Sequence, residues 1–320
     1  MIQKARKISV LGTGNVGATI AYTLAQQGVA SEIVLVDINK VKAEGEALDI
    51  CQCAASVPSF SIKSGEYEDV AGSDIVIVTF GVGRKPGQSR LDLAKINLGI
   101  LESALPGVAK IAPEALYIIV SNPVDLMTYK AMKCTGLPAK QIIGTGTLLD
   151  SNRLIKSIAD FCKVDVSNVN AYVLGEHGDA CMAPWSLCTV CGYPVKEYCK
   201  KFLGISAEEV DNALEENYKA MVASGAKVIQ ATGATVYASA SSTVQLVKSI
   251  LADTNTILPV STLMTGEYGA NDICIGIPCV VGGSGLIKTV EIPLTEEEQK
   301  VFTGHIEKLT ATFDALELRK

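Results

Sequence analysis

His177 is one of only two histidines and lies in the segment GEHGD. Histidine exchanges protons near neutral pH, so a histidine between glycines at a strand end is a candidate acid and base. A carboxylate on the far ring nitrogen would fix its tautomer and stabilise its charged form, and both Asp150 and Asp179 are candidates for this partner. Taken alone, His177 equally fits a structural turn. The other histidine, His305, lies among Glu and Lys residues of a predicted C-terminal helix, and we expect it to be solvated.

A glycine-rich turn near the start of the chain indicates where a cofactor would lie. Residues 8–11 predict a buried strand, GTGNVG follows at once, residues 18–26 have helical composition, and residues 33–36 form a second apolar run before Asp37. Strand, glycine turn, helix, strand and acid form the order of a dinucleotide-binding unit. The alternative interpretation is a glycine turn in an α/β protein that binds no nucleotide.

Each residue type in this unit has a physical reason. Gly12 permits a tight turn, Gly14 lets the backbone approach a pyrophosphate, and Gly17 lets helix and strand pack closely. The turn also contains Asn15 and Val16 and precedes a helix N-terminus, whose unpaired N–H groups attract phosphate. Asp37, 20 residues beyond Gly17, can accept hydrogen bonds from a ribose and would repel a 2′-phosphate. The unit therefore predicts NAD rather than NADP.

The chain beyond this unit divides into two parts. Six strands (residues 8–11, 33–36, 62–64, 74–79, 115–120 and 141–144) alternate with helices, which predicts a Rossmann-type, doubly wound parallel sheet. A loop over 80–88 resembles a lid, and the helix after it, from Arg90, is predicted to end before Pro106. We therefore expect an NAD-binding domain over residues 1–146.

The second part has a different pattern. Residues 148–161 predict a helix and 169–174 a strand. A long helical region opens at the capping box of Ser206 and bends near Gly233. Residues 256–264, 273–281 and 286–292 predict an antiparallel meander, and Thr295 caps a last helix. We expect an α+β substrate-binding and catalytic domain over residues 147–320.

Composition narrows the function further. The chain has 320 residues, of which 48% are hydrophobic and 19% charged, and its net charge of −6 argues against nucleic-acid binding. The sequence has no apolar run long enough for a membrane span. Ten cysteines in such a chain suggest reduced thiols and a cytoplasmic protein. Cys188 and Cys191 form a CxxC pair without a second pair or a nearby histidine, so we expect buried, inert thiols and no metal.

Five motifs follow one another along the chain: GTGNVG, RKPGQSRLDL, SNPVD, GTGTLLDSNRL and GEHGD. In this order and at these intervals they resemble the L-lactate/malate dehydrogenase family, from about Lys7 to the C-terminal helix. The resemblance implies an enzyme that transfers a hydride between C2 of a small 2-hydroxy acid and NAD. It also implies a homodimer or homotetramer.

The resemblance assigns roles to individual residues. His177 would be the general acid and base, and Asp150 its carboxylate partner, which decides between the two candidates. Arg153 would hold the substrate carboxylate through a bidentate fork. Arg90 would polarise the substrate carbonyl from a mobile loop, and Asn122 would position nicotinamide and substrate.

The motifs give mixed indications of the substrate. GTGTLLD, GEHGD, PWS and Thr235 in GATVYASA look like the lactate and 2-hydroxyisocaproate branches of the family. Arg84 stands where lactate enzymes of the family usually carry Gln and malate enzymes carry Arg. A guanidinium on a closing loop can pair with the second carboxylate of oxaloacetate, whereas pyruvate would leave it unpaired unless it turned to solvent. We therefore expect malate and oxaloacetate, with L-lactate or L-2-hydroxyisocaproate as alternatives.

Three further expectations follow. Many bacterial lactate enzymes of the family carry an Arg and a His that bind fructose 1,6-bisphosphate, and the matching positions here are Ile155 and Asn170. Neither side chain can pair with a phosphate charge, so we expect no activation by this sugar phosphate. A non-catalytic NAD-binding structural protein is the main rival interpretation, and the intact set Arg90, Asp150, Arg153 and His177 argues against it. A cysteine redox protein would rest only on the CxxC pair.

Overall fold

Six short strands in the first half of the chain pair in one parallel sheet. Their Val, Ile and Leu residues favour the extended backbone, and most of them are buried. The structure is a computed structural model that describes residues 6–83, 90–178 and 180–319. The strand order is β3-β2-β1-β4-β5-β6, which confirms the predicted doubly wound sheet. The strands are β1 (Lys7–Leu11), β2 (Glu32–Val36), β3 (Ser61–Ser64), β4 (Ile75–Val78), β5 (Leu116–Ile119) and β6 (Ile142–Gly144).

The strand order reverses between β1 and β4, which both lie in the middle of the sheet. In open α/β sheets ligands bind outside the carboxyl ends of the strands at such a point. The fold therefore places the glycine turn after β1 and the segments after β4, β5 and β6 along one edge.

Four helices connect these strands: α1 (Asn15–Gln26), α2 (Lys40–Cys51), α3 (Arg90–Ile111) and α4 (Val124–Thr135). The predicted end of α3 before Pro106 is wrong, because the helix continues for one more turn beyond this residue. A proline inside a helix costs about 3 kcal/mol. Leu101, Leu105 and Val108 are fully buried around it, and burial of each such side chain contributes about 1.5–3 kcal/mol. Packing against the sheet therefore outweighs the lost hydrogen bond.

The antiparallel strands of the second half extend the parallel sheet, and the sequence did not predict this connection. Ser261 of β12 pairs with Gly144 of β6, so the two halves share one backbone hydrogen-bond network. β13 pairs with β12 and β14, which confirms the predicted meander. These strands are β12 (Thr256–Thr265), β13 (Asn271–Gly282) and β14 (Gly285–Thr289).

The predicted continuous strand over 169–174 is wrong. It divides into two short pieces, β7 (Val169–Asn170) and β8 (Leu174–Gly175), which pair with different sheets. Gly175 of β8 pairs with Gly276 of β13, and this contact carries the chain into the segment of His177. The remaining short strands are β9 (Cys181–Met182), β10 (Thr189–Val190) and β11 (Tyr193–Pro194).

The helices of the second half are α5 (Leu148–Cys162), α6 (Val195–Tyr198), α7 (Ala207–Thr232), α8 (Tyr237–Leu251) and α9 (Glu296–Ala315). The predicted capping boxes of Ser206 and Thr295 are both present at the starts of α7 and α9. The predicted bend near Gly233 is a full break, because Gly233 adopts a left-handed conformation (φ 83°) and ends α7.

Two expectations for single side chains need correction. His305 is half-buried rather than solvated, because α9 turns it inward, and burial lowers its pKa. Cys188 is buried, which raises its pKa to about 12, but Cys191 is exposed in the turn that follows β10. In the part of the chain that the structure describes, we find no helix both long and apolar enough to cross a membrane.

Candidate active site

The glycine turn is shaped to hold a phosphate group. Gly12 has a φ of 98°, and a Cβ there would lie 2.7 Å from the backbone nitrogen of Phe80. A Cβ at Gly17 would lie 2.0 Å from the carbonyl oxygen of Gly12, so only glycine fits between helix and strand. A Cβ at Gly14 would meet no atom of the described residues within 4 Å, which leaves open space beside the backbone. These three observations fit the pyrophosphate of a dinucleotide.

Helix α1 begins at Asn15, three residues earlier than the sequence predicts. The N–H groups of Asn15 and Val16 therefore lie inside the glycine turn. Gly14 is the N-cap residue and has no side chain to accept hydrogen bonds from the first turn. These N–H groups and the helix dipole therefore attract an anion, as the binding of phosphate requires.

Asp37 lies directly after β2, at the same edge of the sheet. One carboxylate oxygen accepts hydrogen bonds from the backbone N–H (2.6 Å) and the hydroxyl (3.0 Å) of Thr13, and the other accepts from the backbone N–H of Asn39 (2.8 Å). Burial alone would raise the pKa of Asp37, but these hydrogen bonds outweigh it and lower the pKa. The carboxylate is therefore charged at neutral pH and fixed beside the glycine turn. Sequence reasoning missed Thr13, although it lies within GTGNVG.

His177 and Asp150 form the predicted pair. Nδ1 of His177 lies 2.7 Å from Oδ2 of Asp150, which is 3% exposed in the first turn of α5. Burial disfavours the imidazolium ion, but the Asp150 carboxylate outweighs it and raises the pKa of His177. Because Asp150 engages Nδ1, Nε2 is the ring nitrogen left for proton exchange with a ligand.

Arg153 lies one helical turn after Asp150. Its Nη1 is 3.4 Å from Oδ1 of Asp150, and its side chain is 18% exposed. Gly225 of α7 lies over the guanidinium, because a Cβ there would be 3.6 Å from Nη1. Arg153 is thus held beside His177 and keeps part of its guanidinium accessible to an anion.

A second buried carboxylate supports His177 from its backbone, and sequence reasoning missed it. Oδ2 of Asp125 accepts the backbone N–H of His177 at 3.0 Å, and Oδ1 accepts the hydroxyl of Ser261 at 2.5 Å. Burial raises the pKa of Asp125 above its ordinary value. The SNPVD motif contains Asp125, so its place in the motif was the available signal. Its partner Ser261, in a central strand, gave none.

The structure describes only some of the other predicted substrate residues. Asn122 is exposed in the segment after β5, three residues before Asp125. Thr235 lies between α7 and α8, and its hydroxyl oxygen is buried without a hydrogen-bond partner among the described residues, so a bound ligand could satisfy it. Arg84 and Asp179 lie outside the described residues. Arg90 begins α3, and its side chain is also not described.

These elements share one edge of the sheet, because Asp37, Asn122, Asp125 and Asp150 follow β2, β5 and β6. A doubly wound sheet with a phosphate-shaped glycine turn and a histidine–carboxylate pair at the same edge is typical of nicotinamide-dependent dehydrogenases.

Comparisons with known proteins agree with this class. Residues 6–144 match the family model of the lactate/malate dehydrogenase NAD binding domain, and residues 147–317 match that of the lactate/malate dehydrogenase alpha/beta C-terminal domain. The chain belongs to the lactate/malate dehydrogenase family. It is therefore an NAD-dependent enzyme that acts on the CH–OH group of a small hydroxy acid.

Individual relatives cover almost the whole chain. L-lactate dehydrogenase 1 of Clostridium acetobutylicum is 42% identical over 316 residues, which are 98% of this chain and 100% of the relative. An L-lactate dehydrogenase of Clostridium botulinum is 44% identical over 316 residues, 98% of each chain. The solved structure of a minor L-lactate dehydrogenase from Enterococcus mundtii, in its ligands-bound form, superimposes with a TM-score of 0.93 at 39% identity, covering 97% of this chain and 98% of that one.

Proposed function

We propose that the protein is an L-lactate dehydrogenase that interconverts L-lactate and pyruvate with NAD. The observation that carries the dehydrogenase chemistry is the 2.7 Å contact between His177 and Asp150, with Arg153 on the next turn of the same helix. The relatives at 42% and 44% identity carry the name L-lactate dehydrogenase, which supports lactate among the possible hydroxy acids.

The residues at the sheet edge hold the cofactor in this proposal. Gly12, Gly14 and Gly17, with the N–H groups of Asn15 and Val16, bind the pyrophosphate. Asp37 accepts hydrogen bonds from the adenosine ribose. When bound, NAD would supply the hydride acceptor for C2 of the hydroxy acid, and NADH the hydride donor for the oxo acid.

The substrate is held and protonated by the residues around His177. The guanidinium of Arg153 binds the substrate carboxylate, and Arg90 polarises the carbonyl. Asn122 and Thr235 position the substrate, the latter through its buried hydroxyl oxygen. In the reduction, protonated His177 donates its Nε2 proton to the carbonyl oxygen. In the oxidation, neutral His177 removes the hydroxyl proton.

Asp150 makes both directions possible. Its carboxylate stabilises the imidazolium ion and keeps the proton on Nδ1 when His177 is neutral, so Nε2 faces the substrate as an acceptor. A charged ring is then available near neutral pH, because the Asp150 carboxylate raises the pKa of His177 against the effect of burial.

The relatives favour lactate over the malate that Arg84 led us to expect. A long side chain at a loop position can turn to solvent and leave room for the methyl group of pyruvate. Arg84 in that orientation is compatible with lactate. Malate is the second candidate, because a guanidinium at position 84 that faced the site would pair with the additional carboxylate of oxaloacetate.

Initial rates with NADH on pyruvate, oxaloacetate and 2-oxoisocaproate test the proposal, for the wild type and for Arg84→Gln. We expect pyruvate to have the highest kcat/KM in both, with Arg84→Gln changing its value less than about threefold. The oxaloacetate-to-pyruvate ratio then stays similar, because Arg84 does not select the substrate. A wild type that prefers oxaloacetate, and loses that preference in Arg84→Gln, would reject lactate and support malate.

We also propose a cytoplasmic homodimer or homotetramer with a domain boundary between residues 146 and 147. Val41 and Leu48 on α2 and Tyr237 on α8 are 79%, 63% and 83% exposed. Exposed apolar side chains on neighbouring helices favour a contact between copies of the chain. Light scattering during gel filtration would measure the assembly.

The lack of activation by fructose 1,6-bisphosphate stays a prediction.

A further inference from the structure

The side chain of Asn97 lies beneath two loops at the edge of the sheet that carries the site. It is 2% exposed and belongs to α3. Its Oδ1 accepts the backbone N–H of Val82 at 2.8 Å, and its Nδ2 donates to the carbonyl oxygens of Asn122 (2.8 Å) and Val82 (3.3 Å). The oxygen and the nitrogen of the carboxamide are therefore both engaged by backbone groups.

These hydrogen bonds join segments that are far apart in sequence. Val82 follows β4, and Asn122 follows β5, which is the next strand of the sheet. The loop after β4 also packs directly on the carboxamide, because a Cβ at Gly81 would lie 3.1 Å from Oδ1 of Asn97. Asn97 thus ties both loops to α3, while the Ser121 hydroxyl joins the two loops directly by donating to the carbonyl oxygen of Phe80 at 2.6 Å.

Asn97 also connects both loops to the helix that begins with Arg90. Seven residues are about two helical turns, so the Cα atoms of Arg90 and Asn97 lie along one side of α3. A shift of α3 relative to Asn122 would have to break the hydrogen bond between Asn97 and the Asn122 carbonyl.

We propose that Asn97 is a positioning residue for the 2-oxo acid. It holds Asn122 and the start of α3 at the spacing that substrate binding requires, so it determines affinity for the substrate rather than for NAD. The inference rests on the proposed function, in which Asn122 and Arg90 both contact the substrate.

The chemistry of the contact requires a carboxamide. Two of the three backbone groups are carbonyl oxygens, which need a donor. A carboxylate at position 97 would accept the Val82 N–H but direct an oxygen at both carbonyls. A serine is too short to reach all three groups. Asn97→Asp therefore replaces the donor to the two carbonyl oxygens by an acceptor at nearly constant side-chain volume. Asn97→Ser removes part of the hydrogen bonding without adding a charge.

Tyr117→Phe is a matched control. The buried Tyr117 hydroxyl of β5 donates to the carbonyl oxygens of Ala112 (3.0 Å) and Val108 (3.3 Å), and so joins β5 to the far end of the α3 region. This variant loses a buried hydrogen bond that also holds α3 against the sheet, but at the end of the helix away from the site. It reports what a purely structural loss does to the enzyme.

The test compares four proteins: the wild type, Asn97→Asp, Asn97→Ser and Tyr117→Phe. It measures kcat/KM for pyruvate, the NADH Kd by fluorescence, the Kd of the unreactive analogue oxamate on the NADH complex, and Tm. In Asn97→Asp we expect kcat/KM and oxamate affinity to fall on the order of tenfold or more. In Asn97→Ser we expect both quantities to fall by a smaller factor. We expect the NADH Kd to stay within about twofold in both, and Tyr117→Phe to lower Tm without changing kcat/KM.

The inference is overturned if both Asn97 variants keep wild-type oxamate affinity while Tm falls as in Tyr117→Phe. It is also overturned if the NADH Kd rises as much as the oxamate Kd. If Asn97→Asp does not fold, Asn97→Ser decides between these results. Failure of the wild type to reduce pyruvate would instead reject the proposed substrate, so the two failures are distinguishable.

Discussion

Replacement of Asp150 by Asn removes a buried charge next to His177 at almost constant volume. The Asp150 side chain is 4% exposed and lies 2.7 Å from Nδ1 of the imidazole. General acid catalysis by a positioned side chain contributes about a hundredfold to ten-thousandfold to the rate. Because Asp150 orients and charges the acid His177, we expect kcat/KM for pyruvate to fall by roughly a hundredfold or more in Asp150→Asn.

The pH dependence of the variant has a defined sign. Reduction of the oxo acid needs protonated His177, so kcat/KM decreases as pH rises through the pKa of this residue. The Asp150 carboxylate raises that pKa in the wild type, which extends activity to higher pH. Without the Asp150 charge, burial and the Arg153 charge, which lower the pKa of the ring, are opposed by the Asp125 charge alone, so we expect the pKa to fall. The decrease in kcat/KM should therefore occur at lower pH in Asp150→Asn, as initial rates of NADH oxidation across a pH series would show.

Asp160→Asn is the matched control, because Asp160 lies on the same helix and pairs with Lys156 at 2.5 Å in an exposed position. Exposed pairs contribute about 0–1 kcal/mol, so this variant should keep its rate and its pH profile. If Asp150→Asn retained more than about a third of wild-type kcat/KM with the same pH profile, Asp150 would not be the group that stabilises the imidazolium ion.

Two further substitutions test the groups around the site. Asp125→Asn keeps an acceptor for the His177 N–H but removes the negative charge. We therefore expect a smaller loss in pyruvate kcat/KM than in Asp150→Asn, on the order of tenfold, and a pH profile displaced to lower pH. A loss as large as in Asp150→Asn would contradict the expectation that Asp150 contributes more than Asp125. Asp37→Ala removes the acceptor for the ribose and the charge that repels a 2′-phosphate, so KM for NADH should rise on the order of tenfold and the preference for NADH over NADPH should narrow. An unchanged preference in initial rates with both cofactors would assign the selection to other residues.

The sequence predicted the parts of the site that depend on local pattern. The order of strand, glycine turn and helix predicted Gly12 and Gly17, because the turn must pack the helix against the strand within the motif itself, where a Cβ at Gly17 would meet the carbonyl oxygen of Gly12. The acid at Asp37 follows from the same pattern. The pairing of His177 with Asp150 needed the family resemblance, since spacing alone left Asp179 as an equal candidate.

The residues that the sequence did not predict act through contacts between distant segments. Asp125 and Ser261 are 136 residues apart, and Ser261 is one of four hydroxyl residues in β12, so nothing in the strand sequence distinguishes it. Asn97 lies in an ordinary helical sequence, and only the fold shows that two loops converge on it. The break of the predicted strand near Tyr172 has the same cause, because pairing with two different sheets outweighs local propensity for one strand.

The charges around His177 explain why these distant contacts matter for catalysis. Asp150 and Asp125 raise the pKa of His177 against the effects of burial and of the Arg153 charge. When Arg153 binds the carboxylate of the oxo acid, its effect on the ring is offset, so the substrate itself favours the protonated imidazole that its reduction requires. Under the proposed function both carboxylates act on substrate reduction rather than on cofactor binding, whereas Asp37, which accepts the Thr13 N–H at the glycine turn, acts on the cofactor.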